Sequence, residues 1–416
     1  MAPAHPTRAS EQPSIRSSST PGLLERLRLG FDPLDGGWRG SNSPESTPEM
    51  DSLEQVALAR AVETLFTPVE SGGFWDQSAG HFVPGYRLRK PPLQVEATAD
   101  EGHTSSLLPR VPGFRWCPQR GLEYRNGPLA TMAAMRWRVS PAGTGAYDTE
   151  LHQQLAHSRT LATSLTHRDS LAPAELGALL EAFVLASDVL DPSWLEVANV
   201  LFDRTRGCAL DRPESGLVLV GWAALAERCP ESAARAALTE GLAVLEQHRH
   251  EDGSLGFDDA SHATQQFTNW GLARAARALD RSAVLGAVEH QLEDTVEHRM
   301  RADGALFSTD PQGGGWLERS RASEPPEWRV LKPISQALFA TTIDEYVGAG
   351  GLCRYDRERA AALRWLWNGH PGGDGDGIPL DPVTESGHRA PPGYRTVSAA
   401  DLAWVVAALA GQPSSG

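Results

Sequence analysis

From Asp51 to about residue 410 the apolar positions recur at spacings of three and four, the period of helices with one buried face. The pattern predicts twelve helices, over roughly 50–69, 127–138, 147–167, 173–190, 193–203, 216–229, 231–247, 263–279, 282–299, 333–347, 357–368 and 398–410. Alternation of period two is sparse, although the segment 71–126 has room for a short hairpin or two. The predicted fold class is all-α.

The connections alternate. Short ones at 139–146, 191–192, 230 and 280–281 take turns with longer, chemically richer ones at 204–215, 248–262, 300–332 and 369–397. Helices that follow a rich loop, such as "GLVLVGWAALAERC" and "SAADLAWVVAALA", are apolar or small on most faces, whereas those that follow a short turn, such as "ESAARAALTEGLAVLEQHR", carry charge along one side. A helix apolar all round is buried and an amphipathic one covers it. Six inner and six outer helices therefore form six hairpins. A loop signature keeps step with them: "TRGCALD" at 205–211, "EDGSLGF" at 251–257, "ADGALFS" at 302–308 and, degenerately, "GDGIPLD" at 375–381. Gly207 to Gly253 spans 46 residues and Gly253 to Gly304 spans 51, the length of one hairpin with its loops. Repeats of this period stack side by side. Six of them imply closure into an (α/α)6 toroid with the long loops on one face.

The turn "AVLEQHRHEDGSLGF" resembles the Q-x-x-D-G-S-aromatic corners of two toroid groups. One is the six-hairpin glycosidases and polysaccharide lyases; the other is the terpene cyclase and prenyltransferase superfamily. The resemblance implies the toroid over about residues 50–410 and leaves the chemistry to the loops.

Totals narrow the partners. The chain has 416 residues and a formal net charge of -15, with no basic cluster of the kind a phosphate backbone requires, so nucleic acid is not an expected partner. No apolar run reaches the roughly 18 residues of a membrane span, and the lead "MAPAHPTRASEQPSIRSSSTPG" lacks the apolar segment of a secretory signal. The expectation is a cytoplasmic protein with a disordered lead over 1–45, one toroid domain over 46–412, and 71–126 inserted across the active face. Cys117, Cys208, Cys229 and Cys353 are scattered and form no CxxC pair, which gives neither a disulfide framework nor a zinc site. The Asp-Gly-Asp-Gly run at 374–377 lacks the EF-hand ligand pattern, and no metal or cofactor is expected.

In a toroid the rich loops share the end where the inner helices begin, and the helix N-termini that converge there favour anions and carboxylates. In "DDASHATQQFTNW" a single N-cap would explain one acid, yet Asp258, Asp259 and His262 stand together, with Gln266 and Trp270 on one helical face and Asn269 beside them. The insertion gathers Trp75, Asp76, Arg87, His103, Trp116, Glu123, Tyr124 and Asn126, the last three just before a helix expected to start at Pro128. The loop before 333 adds Trp316, Glu318, Trp328 and Lys332, and the last loop adds His388. An indole face stacks on the apolar face of a pyranose while charged forks hold its hydroxyls. Each of these residues singly has a structural reading, as a cap or a loop anchor; together they point to an oligosaccharide or other small-molecule ligand.

A glycosidase needs two carboxylates, about 5–5.5 Å apart for retention or about 6.5–9.5 Å for inversion. Glu123 with Asp258 or Asp259 are the candidates. A lyase would use Tyr124 and His262 for proton transfer, with Asn126 and Arg87 on a uronate. The alternatives are an isoprenoid cyclase or prenyltransferase and a non-catalytic binding toroid. Against the cyclase, "GFDDA" carries only half of the D-x-D-D acid motif, and no persuasive His joins Asp344 and Cys353 as zinc ligands. The Cys-His-Gly zinc motif of lanthionine cyclases is also missing.

Overall fold

The computed structural model describes residues 48–90, 114–119, 123–163, 171–251, 253, 255, 257, 262–300, 307–308, 330–366, 383–384 and 396–411. Among them run twelve α-helices: α1 (Pro48–Phe66), α2 (Glu123–Val139), α3 (Asp148–Thr163), α4 (Pro173–Val189), α5 (Trp194–Thr205), α6 (Gly216–Arg228), α7 (Ala234–Leu245), α8 (His262–Leu279), α9 (Leu285–Arg299), α10 (Pro333–Gly348), α11 (Asp356–Arg364) and α12 (Ala399–Ala410). The even-numbered helices are the inner set. In α4 every residue from Leu176 to Val184 is buried, and in α6 every residue from Gly216 to Ala226. Helices this apolar have no face to offer water, so each must be covered on both flanks and from behind.

The packing meets that demand as a ring. Helix α2 lies against α4, α4 against α6, α6 against α8, α8 against α10, α10 against α12, and α12 returns to α2. Outside them α3 covers α2, α5 covers α4, α7 covers α6, α9 covers α8, α11 covers α10, and α1 covers α12. The chain is therefore an (α/α)6 toroid, and its sixth hairpin joins the first helix to the last. Small residues set the ring's radius. A side chain at Gly177 would collide with the carbonyl of Leu217, and one at Gly271 with the carbonyl of Gly216, so α4, α6 and α8 touch backbone to backbone.

Two three-stranded sheets lie where α12 and α10 start, and one hairpin packs through Phe82 on Phe66 of α1, which in turn lies against Trp137 near the C-terminal end of α2. Strands β1 (Trp75–Asp76) and β2 (His81–Phe82) pair antiparallel. β3 (Gly85–Arg89) lies between β4 (Arg115–Gln119) and β8 (Thr396–Ser398), antiparallel to both, and β8 runs directly into α12. β6 (Val330–Leu331) lies between β5 (Phe307–Ser308) and β7 (Val383–Thr384) and leads into α10. The hairpin expected within 71–126 is thus present, with a further strand pair beside it.

Two local points refine the sequence reading. α2 begins at Glu123, a turn earlier than expected, so Pro128 sits inside the helix and cannot donate to the carbonyl of Tyr124. Glu123, Tyr124 and Asn126 consequently lie on the helix and not in a loop before it. The corner of "EDGSLGF" is architectural: Gly253 has φ 90°, a left-handed value that favours glycine, and its carbonyl accepts from Arg249 Nη1 at 2.8 Å.

Candidate active site

Polar groups run down the axis in three levels. At the mouth, Ser398 caps α12 and accepts from the backbone N–H of Asp401 at 3.0 Å. The Asp401 carboxyl is half-buried in the first turn, and burial pushes it up to about 6 against the pull of the Ser398 hydroxyl and the Lys332 ammonium. Lys332 caps the neighbouring inner helix, α10, through its backbone. A carboxyl that titrates near neutrality can both give and take a proton.

One level down, the helix period brings polar side chains inward. Gln266 and Trp270 of α8 lie four apart, and Asp401 and Trp404 of α12 lie three apart. The indoles of Trp270 and Trp404 meet edge to face, 5.1 Å between ring centroids. Asn269, fully buried, accepts from Gln265 Nε2 at 3.3 Å through its carbonyl oxygen. Ser335 and Gln336 of α10 are buried one helix along.

The floor is a charge cluster. Arg136 of α2 donates from Nε to Glu181 Oε2 at 3.1 Å and from Nη2 to Glu181 Oε1 at 2.9 Å and Glu345 Oε1 at 2.5 Å. Arg274 donates to Glu227 at 2.8 Å and stands 3.8 Å from both Glu181 and Glu345; Arg277 donates to Glu227 at 2.8 Å and stands 3.6 Å from Glu345. Arg136 also lies 4.1 Å above the centre of the Trp270 ring, which ties the floor to the level above. Burial opposes the charge of Arg136, but Glu181 and Glu345 outweigh it and hold the guanidinium above its ordinary value. Burial likewise opposes ionisation of Glu345, yet Arg136, Arg274 and Arg277 bring it down to about 2. Three arginines face three glutamates.

Several sequence candidates come together on this axis and others do not. Gln266, Asn269 and Trp270 line it, and Lys332 stands at the mouth. Asn126 lies in the second turn of α2, half-buried. Glu123, Tyr124 and His262 fall in the first turns of α2 and α8. Trp75 and Asp76 have structural work instead. The Trp75 indole is 3% exposed and packs edge to face on Phe82, and Asp76 accepts from the backbone N–H groups of Ser78 and Ala79 and from the Ser78 hydroxyl. The expectation that they present a ligand face is corrected by this packing. Arg87 is exposed on β3, opposite Cys117, and Trp116 is half-buried on β4, opposite Leu88, in the sheet that borders α12. Asp258, Asp259, His103, Trp316, Glu318, Trp328 and His388 lie outside the described residues, as does the Asp-Gly-Asp-Gly run.

Asp401 and the floor cluster were not among the sequence candidates. The signal was nevertheless there: "SAAD" has the spacing of a capping box, and Arg136, Glu181, Arg274 and Glu345 are charges on otherwise apolar helices. Among the described residues no group of three His, Cys, Asp or Glu is placed to hold a metal ion, and no helix is long and apolar enough to cross a membrane.

No protein-family model and no curated protein matches the sequence. Solved structures match the fold. An unsaturated glucuronyl hydrolase from Streptococcus agalactiae superposes with a TM-score of 0.58 at 12% identity, over 86% of this chain and 90% of that one. An unsaturated glucuronyl hydrolase specific for heparin gives a TM-score of 0.55 at 13% identity, over 86% and 96%. An α-1,6-mannanase from Salegentibacter sp. gives a TM-score of 0.52 at 10% identity, over 86% and 97%. At such identities the likeness is one of architecture, and it extends over nearly the whole of each neighbour: this chain shares the (α/α)6 toroid fold with them.

Proposed function

We propose that the protein is a carbohydrate-active enzyme, a glycoside hydrolase or a polysaccharide lyase, that works at the mouth where the inner helices begin. The observation that carries this reading is the polarity of the axis. Amides, indole N–H groups, a serine and two levels of carboxylates line it, where an isoprenoid enzyme requires a dry aromatic hole. The toroid neighbours support it, since the enzymes named in their descriptions act on glucuronyl or mannan substrates.

In the hydrolase form, Glu123 on α2 acts with Asp258 or Asp259 from the loop before α8 as the carboxylate pair across the glycosidic bond. Asp401 adds a third acid whose raised pKa suits a group that starts the cycle protonated. In the lyase form Tyr124 and His262 exchange the proton, with Asn126 and Arg87 on the uronate. Trp116, His103, Trp316, Glu318, Trp328, Lys332 and His388 supply the walls that hold the chain, from 71–126 and the two late loops, all within one domain over 46–412.

The test is a panel of neutral and uronate polysaccharides, read by new reducing ends for hydrolysis and by ultraviolet absorbance of unsaturated ends for elimination. Glu123→Gln, Asp258→Asn and Asp259→Asn are then assayed singly on the substrate found. Loss of about 10²–10⁴ in turnover is expected for each member of the pair. Full turnover in all three variants would overturn the assignment.

A further inference from the structure

Helix α2 departs from a rule that its inner neighbours keep. In α4, α6 and α8 the glycines Gly177, Gly221 and Gly271 serve contact, since a Cβ at any of them would strike the backbone of the next inner helix. Gly127 of α2 is buried as well, yet a Cβ there would meet nothing within 4 Å among the described residues. Close approach does not call for glycine at this point. An alanine would favour the helix, so what Gly127 contributes is backbone freedom.

Two further features weaken the helix at the same place. Pro128 has no N–H for the carbonyl of Tyr124, and its ring crowds that carbonyl. The Thr131 hydroxyl donates to the carbonyl of Gly127 at 2.7 Å, a bond to the fourth residue back of the kind that bends helices. A glycine, a missing N–H and a back-bond thus converge within 127–131, and such features are what kink helices. On the far side the helix is anchored. Gln154 Nε2 donates to Thr131 Oγ1 at 2.8 Å and to Ser158 Oγ at 3.2 Å, and Gln154 Oε1 accepts from the backbone N–H of Phe82 at 2.8 Å. This buried network ties Thr131 to α3 and β2. On the near side lies the first turn, Glu123 to Asn126.

We infer that Gly127 and Pro128 form a hinge within α2, and that the turn before them is a gate at the mouth that brings Glu123, Tyr124 and Asn126 onto a bound substrate. The hinge stands on the backbone of α2; what it closes on rests on the glycan reading above. Entry of a chain needs the turn open, whereas a closed turn completes the site and excludes water. A pivot lets one helix meet both demands.

Hydrogen exchange resolved to single amides separates a hinge from a frayed end. Opening about the pivot breaks the bonds that Leu129 and Ala130 send back to the carbonyls of Arg125 and Asn126, while those of Met132 to Met135 stay closed. The expected result is a step: Leu129 and Ala130 exchange about tenfold or more faster than Met132 to Met135. Gly127→Ala and Pro128→Ala each stiffen the pivot, independently, and should slow Leu129 and Ala130 by about fivefold or more. On the polysaccharide found, both variants should lower kcat and KM together by about threefold or more, because a turn held closed releases product slowly.

Protection that climbs gradually from Asn126 to Met135 is fraying and overturns the hinge, as does protection of Leu129 and Ala130 equal to that of Met132 to Met135. Unchanged exchange in both variants overturns the pivot, and unchanged kcat and KM overturn the gate. If no polysaccharide is turned over, the gate is withdrawn with the glycan reading, and the exchange step decides the hinge on its own.

Discussion

Glu345 and Asp401 are both acids that the fold takes out of water on neighbouring inner helices, α10 and α12, and the protein treats them in opposite ways. At the floor, three guanidiniums surround Glu345 and hold it down to about 2 although burial opposes ionisation. At the mouth, Lys332 and a capping hydroxyl are all that oppose burial, and Asp401 rises to about 6. Burial is common to both; the number of cations differs. At one end of the axis the acids are matched by cations, and at the other a single cation and a hydroxyl face the buried acid.

The comparison breaks most visibly at the floor. Arg136→Ala leaves Glu181 and Glu345 buried with fewer partners and is expected to cost about 3–5 kcal/mol in unfolding free energy by denaturant titration. If it costs less than about 1 kcal/mol the cluster is solvated and the contrast fails. Next is acid. Glu345 is depressed from an ordinary 4.5, so its contribution is present above that pH and is lost as pH falls towards 2, about 3 kcal/mol over that window. Glu345→Gln should flatten that part of the stability profile while lowering stability at neutral pH.

Asp401 has the other sign. Its carboxyl is raised from an ordinary 3.8, so the stability it contributes is present below that pH and is lost as pH rises through 6. Asp401→Asn is expected to raise stability at pH 7 by on the order of 1–2 kcal/mol, after allowance for partial exposure, and to leave pH 4 nearly unchanged. It should also remove any turnover limb near pH 6. The smallest effect is Lys332→Met, which withdraws the cation opposing burial: the Asp401 titration, followed by carboxyl infrared absorption, should move upward while stability shifts by less than about 1 kcal/mol. A titration that stays in place would show that Lys332 does not sense Asp401.

The helices were legible because a toroid demands two kinds of helix in strict alternation, and burial writes itself into composition. "GLVLVGWAALAERC" has no polar face and could only be inner. Where local rules mislead, a tertiary contact wins. Pro128 reads as a helix start, yet α2 gains a further turn before it. Trp75 reads as a platform because Trp and Asp in a loop suit a sugar, but the β1–β2 hairpin folds the indole onto Phe82. The floor was illegible for a different reason. Arg136 meets Glu181 and Glu345 across 45 and 209 residues, and no spacing rule connects positions so far apart. A lone charge in an apolar helix announces that a partner exists without saying where.

The packing of α1 on α12 and of α12 on α2 has a consequence for how the chain is made. Five hairpins can form in the order they leave the ribosome, each docking on its predecessor, but the sixth must wait for the last helix to be synthesised. Until then α2 exposes the flank that α12 will cover, and α1 carries its apolar side without its partner. Closure of the ring is therefore a long-range, late event with a large loop-closure cost, and the half-built toroid is the species most in need of a chaperone's shelter.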